Sequence, residues 1–204
     1  MRVLMINGSP HTAGNTYTAL AKVAAALNAE GVETEFFNIG TKPVYGCMAC
    51  RKCTELHRCV LDDDVCNRIG ERISVCDAVV IGSPVYFAGP SGALCAVLDR
   101  LFYSHKAQLK YKPAAAVVVG RRGGLSSAFD RLNKYFTVMN MPVISSQYWN
   151  MVYGAVQGEA AFDGEGMQTM RTLGKNMAWM LKNMKAGSVP TPAEEDKLRT
   201  NFIR

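Results

Sequence analysis

Short apolar runs alternate with helix-length amphipathic stretches along most of this 204-residue chain. Runs rich in valine, isoleucine and alanine predict strands, and apolar residues at helical spacing between them predict helices. The predicted strands cover residues 3–6, 34–37, 78–81 and 114–119, with a fifth at 142–144 that continues near 148–152. The predicted helices cover residues 16–29, 64–75, 92–103, 125–139 and 166–184. The pattern therefore predicts an α/β fold.

Regular alternation of this kind favours a parallel sheet with helices on both faces. The predicted strands are almost wholly apolar, which is typical of strands that are buried on both sides. Five such strands favour the doubly wound order 2-1-3-4-5, in which ligands bind outside the carboxyl ends of the strands. We therefore expect the functional residues in the loops that follow the strands.

Composition and charge exclude several classes of protein. Hydrophobic residues make up 49% of the chain and charged residues 20%, which is globular composition. The first apolar run is too short for a signal peptide, and no run approaches the roughly 18 residues of a spanning helix, so we expect a cytoplasmic protein without membrane association. The net charge of +6 favours anionic ligands, but the positive charges are scattered, so we expect no nucleic-acid partner.

The loop after the first predicted strand is dense in small polar residues. Residues 7–16 read Asn-Gly-Ser-Pro-His-Thr-Ala-Gly-Asn-Thr and open the first predicted helix. Backbone N–H groups at such a helix start can converge on an anion. The side chains that can join them belong to Ser9, Thr12, Asn15 and Thr16. The loop lacks both the Walker A ending and the Gly-x-Gly-x-x-Gly fingerprint, and the alternative is a capped helix start after a tight turn.

Two further loops follow the third and fourth predicted strands. Residues 82–92 contain two prolines and three glycines around Tyr86 and Phe87, which suits a flat apolar ligand unless both rings fold into the core. Residues 120–124 read Gly-Arg-Arg-Gly-Gly. Their two arginines suit the electron-rich end of a flavin or a nucleotide phosphate, and the alternative is a solvated surface pair.

Four of the seven cysteines crowd into thirteen positions within an unusually long connection, residues 43–64. They are Cys47, Cys50, Cys53 and Cys59, with the spacing C-x2-C-x2-C-x5-C. In a reducing compartment, tight cysteine spacing favours metal or redox chemistry over disulfides. Two successive x2 spacings match the bacterial ferredoxin run that holds a 4Fe-4S cluster, although the fourth cysteine follows after five residues rather than three. A metal-free loop and a four-cysteine zinc site are the alternatives.

The remaining features concern the core, the acidic run and the tail. Residues 62–64 are three aspartates, which we interpret as the N-terminal cap of the next helix rather than a metal site. Near the C-terminus, Thr191-Pro192-Ala193-Glu194 has capping-box spacing and predicts a short terminal helix or an arm. The cysteines outside the cluster are expected to be small core residues, namely Cys66, Cys76 and Cys95.

Several of these segments together resemble a known family. The chain is similar to the flavodoxin-like NAD(P)H-dependent FMN reductases, in particular their iron-sulfur flavoprotein branch, in Gly8-Ser9-Pro10, Gly14-Asn15-Thr16, Ser83-Pro84-Val85-Tyr86-Phe87 and the four-cysteine loop. The resemblance implies a flavodoxin-like FMN-binding domain over residues 1–185, with residues 43–64 as a cysteine-rich insertion. Residues 186–204 would form a C-terminal arm.

The resemblance also implies non-covalently bound FMN with NAD(P)H as co-substrate. The FMN phosphate would lie in the first loop, against Ser9, His11, Gly14, Asn15 and Thr16. The isoalloxazine ring would lie against Pro84, Val85, Tyr86, Phe87 and Gly89, with Arg121 and Gly123 nearby. The family often has arginine where this chain has His11, which would make that phosphate contact sensitive to pH.

The implied activity is electron transfer from NAD(P)H through FMN to a quinone-like or other small acceptor, or through a 4Fe-4S cluster on the cysteine loop. We expect that loop close to the carboxyl ends of the strands, within reach of the flavin. One alternative is a non-enzymatic flavodoxin-like carrier reduced by a partner such as ferredoxin, and another is a zinc-stabilised binding module without flavin. The exposed aromatic loop, the insertion and the tail favour an oligomer, which the resemblance implies is a homodimer or homotetramer.

Overall fold

A parallel sheet forms the centre of the structure, a computed structural model that describes residues 1–62, 64–187, 189–196, 198, 200, 202 and 203. Its strands are β1 (Arg2–Asn7), β2 (Glu33–Asn38), β3 (Ala78–Tyr86), β4 (Gly89–Pro90), β5 (Ala114–Gly120) and β6 (Met151–Tyr153). The parallel strands lie in the order β2-β1-β3-β5-β6, while β4 pairs antiparallel with the end of β3. Without the two-residue β4, this is the predicted 2-1-3-4-5 order, so the doubly wound α/β fold is confirmed.

Helices cover both faces of the sheet because the central strands are apolar on both sides. In β1, Val3 and Met5 pack into one core, and Leu4 and Ile6 into the other. One face is covered by α1 (Asn15–Ala29) and α7 (Gly164–Ala186). The other face is covered by α3 (Cys66–Ser74), α4 (Gly92–Ser104), α5 (Lys106–Leu109) and α6 (Leu125–Val138). The short α2 (Cys53–Leu56) belongs to the cysteine-rich insertion, and a 3-10 turn (Glu159–Phe162) precedes α7.

The fifth parallel strand lies later than its predicted start. Residues 142–144 contribute only an isolated bridge between Val143 and Ala114, and the strand itself is β6. Residues 145–147 bond to α7, and only Asn150, directly before β6, accepts from β5 again, through the Val118 N–H at 3.0 Å. The Ser146 hydroxyl donates to the Thr169 carbonyl at 2.7 Å, and the Asn176 amide donates to the Ser145 carbonyl at 2.9 Å. These side-chain contacts hold the segment away from the edge of the sheet.

The predicted short terminal helix is wrong, while the C-terminal arm stays a prediction. Residues 189–196 contain no helix and are exposed throughout. The Glu194 carboxylate pairs with the Lys110 ammonium rather than capping a helix at Thr191. With no apolar face buried, a short helix has too little to stabilise it. Among the described parts of the chain, no helix is both long enough and apolar enough to cross a membrane.

Candidate functional site

The loop after β1 is held in one conformation by the buried side chain of Asn7. Its amide nitrogen donates to the His11 carbonyl at 3.1 Å and to the Asn38 side chain at 2.8 Å. Its amide oxygen accepts from the Ser9 backbone N–H at 3.1 Å. The Ser9 hydroxyl in turn accepts from the His11 backbone N–H at 3.1 Å. The turn is therefore preformed, with Ser9 buried and His11 exposed.

The start of α1 carries no side-chain cap. Gly14 is the residue before the helix, and no side chain there accepts from the first-turn N–H groups. The amino end of a helix carries a partial positive charge and unpaired N–H donors, both of which attract anions. Thr16, in this first turn, is buried. The helix start is therefore suited to an anionic group such as a phosphate.

Asn15 joins this helix start to the loop that follows β6. Its amide nitrogen donates to the Val156 carbonyl at 2.9 Å. Its amide oxygen accepts from the N–H groups of Gly158 at 3.0 Å and Ala160 at 3.3 Å. A side chain on Gly154 would meet Asn15 Nδ2 at 2.9 Å, so the two loops approach as closely as glycine allows. Asn15 therefore uses most of its hydrogen-bonding capacity to hold the loop after β6 against the start of α1, where the two form one wall of the site.

The loop after β3 is a tight hairpin, from Tyr86 to Gly89. Its two central residues, Phe87 (φ 47°) and Ala88 (φ 62°), both lie in the left-handed region, as a type I′ turn requires. Non-glycine residues there cost on the order of 1–3 kcal/mol each. Ala88 packs against Gly124 (φ 85°), where an added Cβ would lie 2.6 Å from the Ala88 Cα. The strained hairpin is thus fitted to the loop after β5 and leaves the Phe87 ring fully exposed.

Serine hydroxyls connect the hairpin to the loop after β1. The Ser83 hydroxyl accepts from the Ser91 N–H at 2.9 Å. The Ser91 hydroxyl donates to the Gly8 carbonyl at 2.7 Å and caps α4 by accepting from the Leu94 N–H. An added Cβ at Gly8 would lie 2.8 Å from the Gly82 carbonyl oxygen. The two loops therefore form one rigid unit with no room for larger residues at their contact.

These loops enclose a cavity of about 400 Å³ at the carboxyl ends of the strands, which we call the edge cavity. Nine of the predicted cofactor residues line it, namely Ser9, His11, Gly14, Asn15, Thr16, Pro84, Val85, Tyr86 and Arg121. Phe87 and Gly89 lie on the hairpin outside this lining, and Gly123 lines a neighbouring cavity. The sequence reasoning missed Val119, Gly120, Gly154, Ala155 and Gln157. The last three follow β6, so the rule that sites lie at strand ends would have identified them.

The neighbouring cavity is aromatic and of about 470 Å³. Its lining includes Arg122, Gly123, Tyr148, Trp149 and Tyr153, and we call it the aromatic cavity. The residues Arg121 and Arg122, adjacent in sequence, therefore face different cavities. The loop after β5 separates the two spaces at the edge of the sheet.

All four clustered cysteines line a third cavity, of about 170 Å³, which we call the cysteine cavity. Three residues of this loop have left-handed backbone conformations, namely Ala49, Arg51 and His57. Among the described residues, no three His, Cys, Asp or Glu side chains converge closely enough to bind one metal ion. The four thiols therefore line a shared cavity and do not converge on one position for a single metal ion.

The cysteine cavity lies along the second half of α4. Arg100, Tyr103 and Ser104, from the second half of α4, complete its lining. Arg100 lies eight residues beyond the start of α4 at Gly92, which is about 12 Å along the helix axis at 1.5 Å per residue. The insertion therefore packs along α4 about two turns from its start, and the closeness of the cysteines to a flavin stays a prediction.

The other cysteines and the acidic run have structural positions. Cys66 and Cys76 are buried as predicted, whereas Cys95 is only partly buried. Burial raises the pKa of the Cys66 thiol to about 12, so it stays protonated at neutral pH. The Asp64 carboxylate accepts from the Cys66 N–H at 2.9 Å, which supports the predicted capping role. Asp63, in the same run, lies outside the described residues.

The fold and the edge cavity together define a flavodoxin-like protein with an anion-binding helix start at the carboxyl edge of its sheet. Residues 1–155 match the family described as NADPH-dependent FMN reductase. The chain belongs to this family, and it is therefore a flavin-dependent oxidoreductase that binds FMN.

Individual proteins agree with this assignment. An iron-sulfur flavoprotein of Methanocaldococcus jannaschii is 33% identical over 193 residues, which are 91% of this chain and 100% of that protein. The iron-sulfur flavoprotein of Methanosarcina thermophila is 28% identical over 89% of this chain and 96% of its own. The solved structure of a flavodoxin from the domain Archaea, 14% identical, matches with a TM-score of 0.60 over 89% of this chain and 99% of that one. The last comparison shows the fold alone.

Proposed function

We propose that this protein is an NAD(P)H-dependent oxidoreductase whose FMN occupies the edge cavity. The observation that supports this most directly is the uncapped start of α1, which opens into a space that is also lined by Pro84, Val85 and Tyr86 at the end of β3. One end of the cavity suits a phosphate and the other suits a flat ring. The volume of about 400 Å³ is in the range of small-molecule sites, roughly 300–1,000 Å³.

The residues around the cavity have separate tasks in this proposal. The Ser9 hydroxyl accepts an N–H bond within the loop and keeps its own proton to donate to the phosphate. Val85 and Tyr86 offer an apolar surface that orients the ring and excludes water. Arg121 adds positive charge on the opposite side. When bound, FMN supplies the hydride acceptor and the electron carrier, so these residues bind and orient rather than act as acid or base.

We further propose that the four clustered cysteines hold a 4Fe-4S cluster. The support is the donor set, four thiols around one cavity. A single zinc ion with Zn–S bonds of about 2.3 Å requires four sulfurs close together, whereas a cluster binds each thiolate at a different iron. The two relatives above are iron-sulfur flavoproteins by name. When bound, the cluster carries single electrons away from the flavin.

The aromatic cavity is our proposed site for the small-molecule acceptor, of quinone-like or similar flat shape. Its aromatic rings suit such a molecule, and a lining that holds Arg122 together with the carboxylates of Asp163 and Glu165 suits an acceptor without net negative charge. The cavity borders the loop that carries Arg121, so an acceptor there lies next to the edge cavity. We also propose a cytoplasmic location, because all seven cysteines are free thiols.

One observation favours the second candidate, an electron carrier reduced by a partner such as ferredoxin. A basic cavity of about 660 Å³ adjoins the cysteine cavity and shares Cys53 with it. Arg51, His57 and Lys106 line it, which suits the acidic surface of an electron-transfer protein. A carrier would receive electrons here rather than from NAD(P)H.

Anaerobic reduction distinguishes the two functions. We expect the purified protein loaded with FMN to lose its flavin absorption on addition of NADH or NADPH within the time of a normal enzyme turnover. Rapid reduction by reduced ferredoxin, together with no reduction by either nicotinamide nucleotide, would favour the carrier. A protein that binds no added FMN would contradict both.

Replacing Cys50 with serine is expected to abolish the cluster and spare the flavin. Cys50 lines only the cysteine cavity, which shares no described lining residue with the edge cavity. Iron and sulfide content should fall to background, while FMN content stays near one per chain. Cys95→Ser is the matched control, because Cys95 lies outside both cavities. Equal iron content in the two variants would contradict the assignment of the cluster to this loop.

We propose that the protein is a homodimer or homotetramer. Around the edge cavity and the aromatic cavity, large rings are exposed on Phe87, Tyr148, Trp149 and Phe162. A monomer that leaves so many large apolar side chains in water near its site is unusual. Sedimentation velocity at micromolar concentration should give a dimer or tetramer, and a single monomeric species would contradict the proposal.

A further inference from the structure

The most deeply buried charge in the molecule lies beside the cysteine cavity. Arg100, on α4, has a side chain that is 1% exposed, and it pairs with the Asp64 carboxylate, which is 3% exposed. A buried charge is stable only when its hydrogen-bonding groups are satisfied. Neither residue has a task in electron transfer through the edge cavity. The position of Arg100 therefore needs another explanation.

The guanidinium of Arg100 holds both ends of the cysteine loop. It donates to the Tyr45 carbonyl at 3.2 Å, before the first cysteine, and to the Leu61 carbonyl at 2.8 Å, after the last one. Its Nε donates to the Cys59 sulfur at 3.2 Å. A planar fork of five donors can make these contacts together, whereas a lysine ammonium cannot.

Asn67 fixes the backbone of the same cysteine. Its amide oxygen accepts from the Cys59 N–H at 2.9 Å, and its amide nitrogen donates to the Cys59 carbonyl at 3.0 Å. Asn67 is itself buried on α3. Cys59 is thus held at its backbone by one helix and at its sulfur by another. Cys47 and Cys50, by contrast, are exposed.

We propose that Arg100 is a positioning residue for the iron centre. Arg100 holds the Cys59 sulfur and stabilises the negative charge that the iron centre gains on reduction. This inference rests on the proposed cluster. One electron from the reduced flavin would add one negative charge to the thiolate-bound iron, and no bond would form or break. Hydrogen bonds to the sulfurs and nearby charge set the potential of such centres. Arg100 donates hydrogen bonds to the Asp64 carboxylate and to the Cys59 sulfur. Its positive charge therefore lies between these two groups.

The test is the reduction potential of the anaerobically loaded protein and its Arg100→Lys variant. Lysine keeps a positive charge beside Asp64 but loses the planar donors, so the variant removes the bond to sulfur together with the bonds to the two loop carbonyls. We expect the equilibrium constant for one-electron reduction to fall about tenfold, which corresponds to a potential about 59 mV lower. The matched control is Arg58→Gln, which removes an exposed charge of the same loop. Its constant should stay within about twofold of the wild type.

The possible outcomes separate this inference from the cluster proposal. A wild-type protein that binds no iron and sulfide overturns the cluster and the role of Arg100 together. A loaded wild type with an unchanged potential in Arg100→Lys overturns the role of Arg100 alone. A shift of the same size in Arg58→Gln also overturns it, because general charge would then explain the effect.

A second measurement uses the wild-type side chain, in case Arg100→Lys does not fold or load iron. Protein labelled with 15N in its arginine side chains is loaded and reduced, and the 15N coupling to the unpaired electron is recorded by pulsed electron paramagnetic resonance. We expect a coupling that persists in Arg51→Gln, because Arg51 and Arg100 are the arginines that line the cysteine cavity. No coupling in the wild type, or its loss in Arg51→Gln, overturns the inference.

Discussion

Replacing Gly14 with aspartate should weaken FMN binding by about 100-fold or more while slightly stabilising the FMN-free protein. Gly14 precedes α1, and its backbone (φ −84°, ψ −173°) suits any residue. An aspartate there would accept from the same N–H groups that we assign to the phosphate, and it would repel the phosphate charge. Loss of two charge-assisted hydrogen bonds costs about 1.5–3 kcal/mol each, and 1.4 kcal/mol is tenfold in affinity.

The same aspartate should raise the free energy of unfolding of the FMN-free protein although it lowers the affinity for FMN. An aspartate before a helix caps its first turn and pairs with its dipole, which adds about 0.5 kcal/mol to the free energy of unfolding. Urea denaturation of the FMN-free chain measures this gain, and fluorescence titration measures the FMN affinity. A residue that merely damages the fold would lower both.

Two controls make the result specific to the phosphate. Gly14→Ala adds a Cβ 3.1 Å from the Cβ of His11, a contact that a shift of a few tenths of an ångström in the exposed part of the loop relieves, so FMN affinity should change by less than about threefold. Riboflavin, which lacks the phosphate, should bind Gly14→Asp and wild type within about threefold of each other. Equal losses of FMN affinity in both Gly14 variants would place the phosphate elsewhere.

The sheet and its helices could be predicted because their signals are local. β1, β3 and β5 are almost wholly apolar, and each is followed by a loop and an amphipathic helix, so strand order followed from alternation alone. The loops at the strand ends then gave nine of the residues that line the edge cavity. Phe87 was placed in that lining because an exposed aromatic ring suggests a ligand. Its left-handed backbone, which turns the ring into solvent, has no signature in the sequence.

Contacts between distant segments were not predictable in the same way. Asn15 has the composition of a phosphate ligand, but its amide is used by the loop after β6, more than 140 positions away. The loop behind β6 is marked as part of the site only by its position at a strand end, and the three-residue length of β6 makes that signal weak. The path of the cysteine loop depends on Arg100, the one basic residue of the mostly apolar α4, directly after its one acidic residue, Asp99. Its burial arises from the insertion that covers it.

Replacing Arg100 with methionine should lower the free energy of unfolding by about 3–5 kcal/mol. Methionine fills much of the volume but leaves the Asp64 carboxylate buried without a partner, and removal of one member of a buried ion pair has a cost of this size. The carbonyls of Tyr45 and Leu61 also lose their donor. We therefore expect the segment around the cysteines to become the first site of limited proteolysis.

The double variant Arg100→Met/Asp64→Asn separates the unpaired charge from the lost hydrogen bonds. Asparagine retains an oxygen to accept from the Cys66 N–H, so the start of α3 stays capped, while the buried negative charge is gone. The double variant should therefore regain about 2 kcal/mol relative to Arg100→Met, as measured by urea denaturation under anaerobic conditions. If the two variants unfold at the same urea concentration, the loop carbonyls and not the ion pair dominate the cost. Full stability in both would mean that Arg100 is not buried, and the cysteine loop would then lack its anchor on α4.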